Sequence, residues 1–176
     1  MRFLSDPKIT QSLKGKTCLL RVDLNVDPST SSGQEALRLQ AILPTLKVLL
    51  KNKCRVVILS HRGRPTGRDP KLSLKEFISF LEKNLKEKVA FLPRLSAFHP
   101  RQSAVFLMEN LRFWPEEEAN DLSFAKKLAK LGDLYINDAF AVSHRANASV
   151  TQLPKLLPSY GGLLLEKEIE NLSKVM

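Results

Sequence analysis

Short apolar runs alternate along this chain with longer segments whose apolar residues recur at helical spacing. Runs typical of buried strands occupy residues 17–22, 55–59, 89–92, 105–108 and 134–136. The segments between them carry apolar residues three and four positions apart, the spacing of one helix face. This alternation is typical of βαβ units. It predicts a single α/β domain of three layers, α/β/α, with a mostly parallel, Rossmann-like sheet.

Helix boundaries are marked by capping residues and prolines. Ser73 is a predicted N-cap, and Asp121 and Ser123 are both candidate caps for a helix that Gly132 ends. Pro44 breaks or restarts an apolar helical stripe over 39–50. Loops are predicted over 27–33 and over 63–70 from their glycine, proline and serine content, and a last helical stripe runs over 163–172.

Polar side chains follow four of the predicted strands at the point where each strand ends. The four loops carry Asp23 and Asn25, the segment 60–64 (Ser-His-Arg-Gly-Arg), the segment 109–112 (Glu-Asn-Leu-Arg), and Asn137 with Asp138. In an open α/β sheet the ligand crevice lies outside the carboxyl ends of the strands. The sequence therefore predicts that these loops converge on one anion.

The composition is that of a globular domain. The 176 residues are 43% hydrophobic and 26% charged, and the length fits one domain. No run approaches the ~18 consecutive apolar residues of a membrane helix. The amino terminus becomes polar before a signal-peptide core of ordinary length could form, so a cytoplasmic location is predicted.

A formal net charge of +10 predicts an anionic partner, which could be a nucleic acid, an acidic lipid or a phosphorylated metabolite. The lysines of residues 83–88 and 126–130 lie at helical spacing around apolar residues and are expected to solvate helix faces. Arg62 and Arg64 differ because they lie in a glycine-containing loop, and arginine is preferred where a planar group must hold carboxylate or phosphate. Charge alone does not choose among these partners.

Other candidate chemistry is weak. Gly15-Lys16-Thr17 lacks the spacing of a phosphate-binding P-loop and precedes a strand, so a turn is predicted. The three histidines lack metal-ligand spacing, and no metal site is predicted.

Two interpretations stay open for several loop residues. Asp23 either stabilises its loop or binds a substrate hydroxyl. Asn137 and Asp138 form either a turn or part of a site. His99 is expected in a surface loop, and the two cysteines, Cys18 and Cys54, are expected to be reduced core thiols.

Five motifs together give a family resemblance. They are the segments 21–26 (Arg-Val-Asp-Leu-Asn-Val), 60–65 (Ser-His-Arg-Gly-Arg-Pro), 109–113 (Glu-Asn-Leu-Arg-Phe), 132–140 and 144–146. In this order and spacing, the chain from about Thr17 onward resembles the amino-terminal domain of phosphoglycerate kinase. Members of that family are usually monomeric, two-domain glycolytic kinases. They transfer a phosphoryl group between 1,3-bisphosphoglycerate and ADP, giving 3-phosphoglycerate and ATP.

The resemblance implies a role for each matching residue. Asp23 and Asn25 are expected at the glycerate hydroxyl and carboxylate end of the substrate. Arg38 is the expected catalytic residue, reaching toward the transferring phosphoryl group. The substrate's stationary phosphate is expected to lie among four basic residues, which are His61, Arg64, Arg112 and Arg145.

The resemblance also implies what other parts of the enzyme supply. Residues 1–162 match the phosphoglycerate-binding domain, and residues 163–176 match the start of the interdomain helix. Mg²⁺ with ATP or ADP is expected to bind a carboxyl-terminal nucleotide domain that is absent from this chain. The chain alone is therefore expected to bind 3-phosphoglycerate without turnover. The alternatives are a basic nucleic-acid-binding module, or a catalytically silent regulatory domain on the same fold.

Some positions depart from the family pattern. The proline expected directly after Val26 is displaced to Pro28, and Arg62 stands where leucine is frequent. Asn147 stands where histidine is common, and residues 141–143 replace a more glycine-rich stretch. These departures leave the roles of Arg62 and His144 open.

Overall fold

All six strands of the structure pair side by side in parallel. The computed structural model describes residues 1–27, 29 and 33–174, and in these residues the sheet has the order β3-β4-β2-β1-β5-β6. The strands are β1 Thr17–Arg21, β2 Arg55–Leu59, β3 Val89–Leu92, β4 Val105–Met108, β5 Leu134–Asn137 and β6 Ser159–Gly161. All five strand pairings are parallel, which confirms the predicted α/β sheet.

Helices connect the strands and cover the sheet. They are α1 Pro7–Gln11, α2 Gly33–Ala41, α3 Leu43–Lys51, α4 Ile78–Leu85, α5 Pro115–Glu118, α6 Leu122–Ala129, α7 Leu153–Leu156 and α8 Leu163–Ser173. A π-helix covers Ala148–Gln152, and short 3₁₀ turns cover Pro70–Leu72, Leu74–Phe77, Leu95–Ala97, Leu111–Phe113 and Phe140–Val142.

Two buried clusters lie on opposite faces of the sheet, because successive strand side chains point to opposite faces. Leu20 and Ile58 belong to the cluster that α3 and α4 cover, whereas Leu19 and Val57 belong to the cluster that α6 covers. The molecule therefore has the predicted three layers. Cys18 and Cys54 are free and buried, as expected for core thiols.

The structure decides several helix boundaries that the sequence left open. Pro44 restarts the helical stripe, since α3 begins at Leu43 with the proline in its first turn. Asp121 is the N-cap of α6 and accepts a 2.7 Å hydrogen bond from the Phe124 amide. Ser73 caps a 3₁₀ turn that precedes α4. The predicted loop 27–33 and the end of the predicted helix segment 163–176 lie partly outside the described residues.

The prediction that Gly132 terminates α6 is wrong. The helix ends at Ala129, with Lys130 as its C-cap. Gly132 instead lies close to strand β1, where an added Cβ would come within 2.8 Å of the Leu19 side chain and 3.0 Å of the Thr17 carbonyl oxygen. The position requires glycine because the turn after α6 approaches strand β1 closely there. In the described part of the chain, no helix has the length and apolar character needed to cross a membrane.

Candidate active site

Four polar loops meet at one edge of the sheet because the strands that precede them are neighbours. Strands β4, β2, β1 and β5 are consecutive in the sheet and run parallel, so their carboxyl ends lie side by side. These are the four strands whose following loops carry the candidate residues. The four loops therefore lie together at one edge of the sheet, and their convergence on one anion stays a prediction.

Hydrogen bonds between the loops fix the position of the segment after β2. The Ser60 hydroxyl donates to the Val22 carbonyl oxygen at 2.8 Å and accepts from the Leu24 amide at 2.9 Å. The Asn110 side chain makes two hydrogen bonds with the backbone of Arg62. It donates to the Arg62 carbonyl oxygen at 2.8 Å and accepts from the Arg62 amide at 3.2 Å. The loops after β1, β2 and β4 are thus tied into one unit.

Gly63, in the loop after β2, has a backbone conformation and surroundings that favour glycine. Its φ is +62°, and an added Cβ would come within 2.9 Å of Leu72. Two site residues use its backbone: Asn25 Oδ1 accepts from the Gly63 amide at 2.8 Å, and Arg112 donates to the Gly63 carbonyl oxygen at 2.5 Å. Glycine is required here both for its backbone conformation and for space.

The predicted basic residues form one cluster. His61 and Arg112 are buried, Arg145 is half-buried and Arg64 is exposed. Burial, followed by the positive charges of Arg21, Arg112 and Arg145, lowers the pKa of His61 to about 2. Burial also lowers the pKa of Arg112, with the charges of Arg145, Arg21 and Arg64 adding to the effect and Glu118 opposing it. The cluster therefore holds four guanidinium groups around a neutral imidazole.

Negative charge balances only part of this cluster. Arg112 Nε pairs with Glu118 at 3.1 Å. Arg64 and Arg145 form no ion pair with the residues the structure describes, and Arg145 Nε is a buried donor with no hydrogen-bond partner among them. A buried donor is normally satisfied. An anionic ligand with several oxygen atoms would supply acceptors at this place.

Asp23 and Arg38 face each other at the other end of the site. Arg38 Nη2 lies 3.6 Å from Asp23 Oδ2, with the arginine side chain 51% exposed and the aspartate 15% exposed. Asp23 Oδ1 also accepts from the Asn25 amide at 2.9 Å, so this carboxylate stabilises its own loop. Both side chains line a cavity of about 390 Å³ that continues toward Ala139 and Leu164.

Other polar residues singled out from the sequence have structural roles. Arg62 pairs with Glu76 at 2.8 Å and lies over the ring of Phe77. Asn137 Nδ2 donates to Ser143, and Asp138 is buried against the start of α8. His99 and His144 are both exposed.

Sequence reasoning missed Arg21 as a site residue. It is the last residue of β1 and is buried, and its Nη2 lies 3.0 Å from His61 Nδ1. A charged residue closing an otherwise apolar strand was the available signal. Arg21 also donates to Ser149, which lies 128 positions away, a contact that spacing along the chain does not indicate.

Comparisons with known proteins agree with this geometry. The family model for phosphoglycerate kinase matches residues 9–176. The phosphoglycerate kinase of Wolbachia pipientis wMel is 41% identical over 171 residues, covering 93% of this chain and 43% of that protein. Among solved structures, phosphoglycerate kinase from Coxiella burnetii aligns with a TM-score of 0.82 at 35% identity, covering 93% of this chain and 43% of its own.

A second solved structure, phosphoglycerate kinase from Pyrococcus horikoshii OT3, aligns with a TM-score of 0.80 at 33% identity and covers 99% of this chain and 45% of its own. The chain thus spans less than half the length of the relatives it matches. Its sequence, its sheet and its family model all agree, and the chain belongs to the phosphoglycerate kinase family.

Proposed function

We propose that this chain is the substrate-binding half of a phosphoglycerate kinase and binds 3-phosphoglycerate or 1,3-bisphosphoglycerate. The observation that carries the proposal is the arginine cluster around His61, with the unpartnered buried donor of Arg145 inside it. Arginine matches phosphate oxygens with paired, charge-assisted hydrogen bonds. In this proposal His61, Arg64, Arg112 and Arg145 surround the stationary phosphate.

The opposite end of the site suits the rest of the substrate. Asp23 can accept a hydrogen bond from a glycerate hydroxyl, and Asn25, held by the Gly63 amide, lies beside it. Arg38 is exposed and its contact with Asp23 is long at 3.6 Å, so little is lost when the guanidinium turns toward a phosphoryl group. There it stabilises charge on the moving group, the main task of a phosphoryl-transfer site.

The nucleotide is assigned to another part of the full-length enzyme. Mg²⁺ supplies neutralisation of the charge on the nucleotide phosphates when it is bound. Across the described residues, no three histidine, cysteine, aspartate or glutamate side chains gather as a metal site would require. From the family resemblance we assign residues 1–162 to the phosphoglycerate domain and 163–176 to the start of the interdomain helix. ATP or ADP then binds a carboxyl-terminal domain, in a cytoplasmic monomer as the family resemblance implies.

Isothermal titration calorimetry with 3-phosphoglycerate tests the proposal. Arg64→Ala removes an exposed guanidinium, so the fold is preserved while the affinity falls at least about tenfold, the worth of a charge-assisted hydrogen bond. Arg101→Ala is the matched control, because it removes the same charge at the opposite, amino-terminal edge of the sheet beside Lys53 and Arg55. The affinity of Arg101→Ala for 3-phosphoglycerate should stay within about twofold of that of the unmodified chain.

Two results contradict the proposal. No binding heat with the unmodified chain would indicate a catalytically silent domain on this fold. Equal losses in Arg64→Ala and Arg101→Ala would indicate attraction by net charge alone, the behaviour expected of a general polyanion-binding module.

A further inference from the structure

A chain of four buried polar residues runs from α5 to the candidate site. Glu117 contacts Ser149 in the π-helix, and Ser149 contacts Arg21 at the end of β1. Arg21 in turn contacts His61, which follows β2. All four side chains are 3% exposed or less. Such a network is stable only where each member is satisfied.

The hydrogen-bond directions in this chain are fixed by chemistry. Glu117 accepts from the Ser149 amide at 3.0 Å and from the Ser149 hydroxyl at 2.5 Å. The single hydroxyl proton of Ser149 is thereby used, so its oxygen accepts from Arg21 Nε at 3.3 Å. Arg21 Nη1 donates to the Val22 carbonyl oxygen. The guanidinium is therefore held on two sides before it meets His61.

The contact with His61 then admits only one direction. A guanidinium has five N–H donors and no acceptor. Arg21 Nη2 lies 3.0 Å from His61 Nδ1, so Nδ1 must carry the lone pair and the ring proton must reside on Nε2. A proton on Nδ1 would place two donors against each other in a buried site, at the cost of an unsatisfied polar group.

We infer that Arg21 is a positioning residue that holds His61 in its neutral Nε2–H tautomer, so that the ring presents an N–H donor to the bound anion. The inference deepens the proposed function and rests on it for the identity of the anion. In this inference Arg21 acts through His61, since its Nε, Nη1 and Nη2 are directed at Ser149, at the Val22 carbonyl oxygen and at His61. Glu117 balances its charge through Ser149 and so allows an arginine to be buried at the end of a strand.

This arrangement gives the site a hydrogen-bond donor that carries no charge at neutral pH. The pKa of His61 is lowered to about 2 by burial and by three neighbouring arginines, in agreement with a neutral ring. In the proposed site Arg64, Arg112 and Arg145 supply the positive charge around the anion, and His61 supplies a directed N–H donor.

Nitrogen-15 NMR of the histidine side chains tests the inference in the ligand-free chain. The His61 signals are assigned by their loss in His61→Gln. We expect Nδ1 to resonate as an unprotonated ring nitrogen and Nε2 as a protonated one. In Arg21→Met, which keeps much of the volume and loses the donors, we expect a shift toward the other tautomer and about a tenfold loss of 3-phosphoglycerate affinity. Arg21→Lys, which retains a donor, should restore much of the Nε2–H signal.

The outcomes separate this inference from the proposed function. A protonated Nδ1 in the unmodified chain overturns the positioning role even if 3-phosphoglycerate binds, and even if Arg21→Met fails to fold. An unchanged tautomer in a folded Arg21→Met overturns it as well. Absence of 3-phosphoglycerate binding with an Nε2–H ring instead contradicts the proposed function and leaves the tautomer assignment standing.

Discussion

His61 shows how the surroundings of one residue decide its chemistry. Outside a protein its pKa is 6.5, yet burial and the charges of Arg21, Arg112 and Arg145 lower it to about 2. The sequence predicted that a histidine beside several arginines is an anion ligand. The sequence could not predict whether that histidine is charged. In the proposed site His61 therefore acts as a neutral hydrogen-bond donor rather than as a cation.

This lowered pKa has a consequence for stability. Below pH 6.5 the unfolded chain takes up a proton on His61 and the folded chain does not, so the stability from this residue is present above pH 6.5 and is lost as pH falls. The loss is about 1.4 kcal/mol per pH unit. Urea unfolding at several pH values between about 4.5 and 6 should therefore give His61→Gln a stability that declines less steeply toward acid than that of the unmodified chain.

Asp138 changes the stability with pH in the opposite direction to His61. The pH dependence of stability is therefore compared between His61→Gln and the unmodified chain, both of which contain Asp138. Burial raises the pKa of Asp138 from 3.8 to about 6, so its contribution is largest at low pH and is lost as pH rises through 6. The two groups offset each other in the unmodified chain. Identical slopes for His61→Gln and the unmodified chain would contradict a neutral buried His61.

At the scale of the element, Asp138 connects β5 to the beginning of α8. Its amide donates to the Arg21 carbonyl oxygen at 2.8 Å, and its Oδ1 accepts from the amides of Leu164 and Leu165 at 2.9 and 3.1 Å. These amides belong to the first turn of the helix, where backbone donors lack partners within the helix. The carboxylate therefore fixes where α8 begins.

Gly162 allows this contact, and replacing it should break it. A Cβ at Gly162 would lie 2.2 Å from Asp138 Oδ1, and the carboxylate cannot move away without losing both amide bonds. We expect Gly162→Ala to reduce the free energy of unfolding by about 1–3 kcal/mol. Thermal or urea unfolding followed by circular dichroism measures the change.

Gly67→Ala is the control for this substitution, because an added Cβ there meets no atom within 4 Å. Its stability should remain within about 0.5 kcal/mol of the unmodified chain. A Gly162→Ala variant as stable as Gly67→Ala would show that α8 does not depend on the contact with Asp138.

The elements also show what the sequence could predict. Five strands were visible because each is a short apolar run, and β1 to β5 lie where those runs are. Strand β6 escaped prediction because Ser159, Tyr160 and Gly161 have no apolar pattern and form a strand through pairing with β5 on one side and with Phe3 on the other. Strand ends located the candidate site, while the Glu117 to His61 chain depends on contacts between residues far apart in sequence.

At the scale of the whole molecule, positive charge is divided between two edges of the sheet. The carboxyl edge carries the arginine cluster around His61, and the amino-terminal edge carries Lys53, Arg55 and Arg101 along one surface. The net charge of +10 therefore did not indicate a ligand by itself. Burial and an unpartnered donor distinguish the carboxyl edge, and solvent screens charges on an exposed edge.

Binding and turnover should separate in this chain. Phosphoryl transfer requires both reactants to be held in line, and the chain spans 43% of the length of a related phosphoglycerate kinase. With 3-phosphoglycerate, ATP and Mg²⁺ supplied, a coupled assay that follows NADH oxidation through glyceraldehyde-3-phosphate dehydrogenase should give the rate of the blank. The same preparation should still release heat on titration with 3-phosphoglycerate.

Arg38→Ala makes this assay decisive. Arg38 is exposed, and its only described ion pair is the 3.6 Å contact with Asp23, so its removal should leave the fold intact. A rate that scales with chain concentration and disappears in Arg38→Ala would show that this half catalyses transfer alone, against our expectation. A rate equal in both preparations comes from a contaminating kinase, because the residue expected at the moving phosphoryl group would then have no effect.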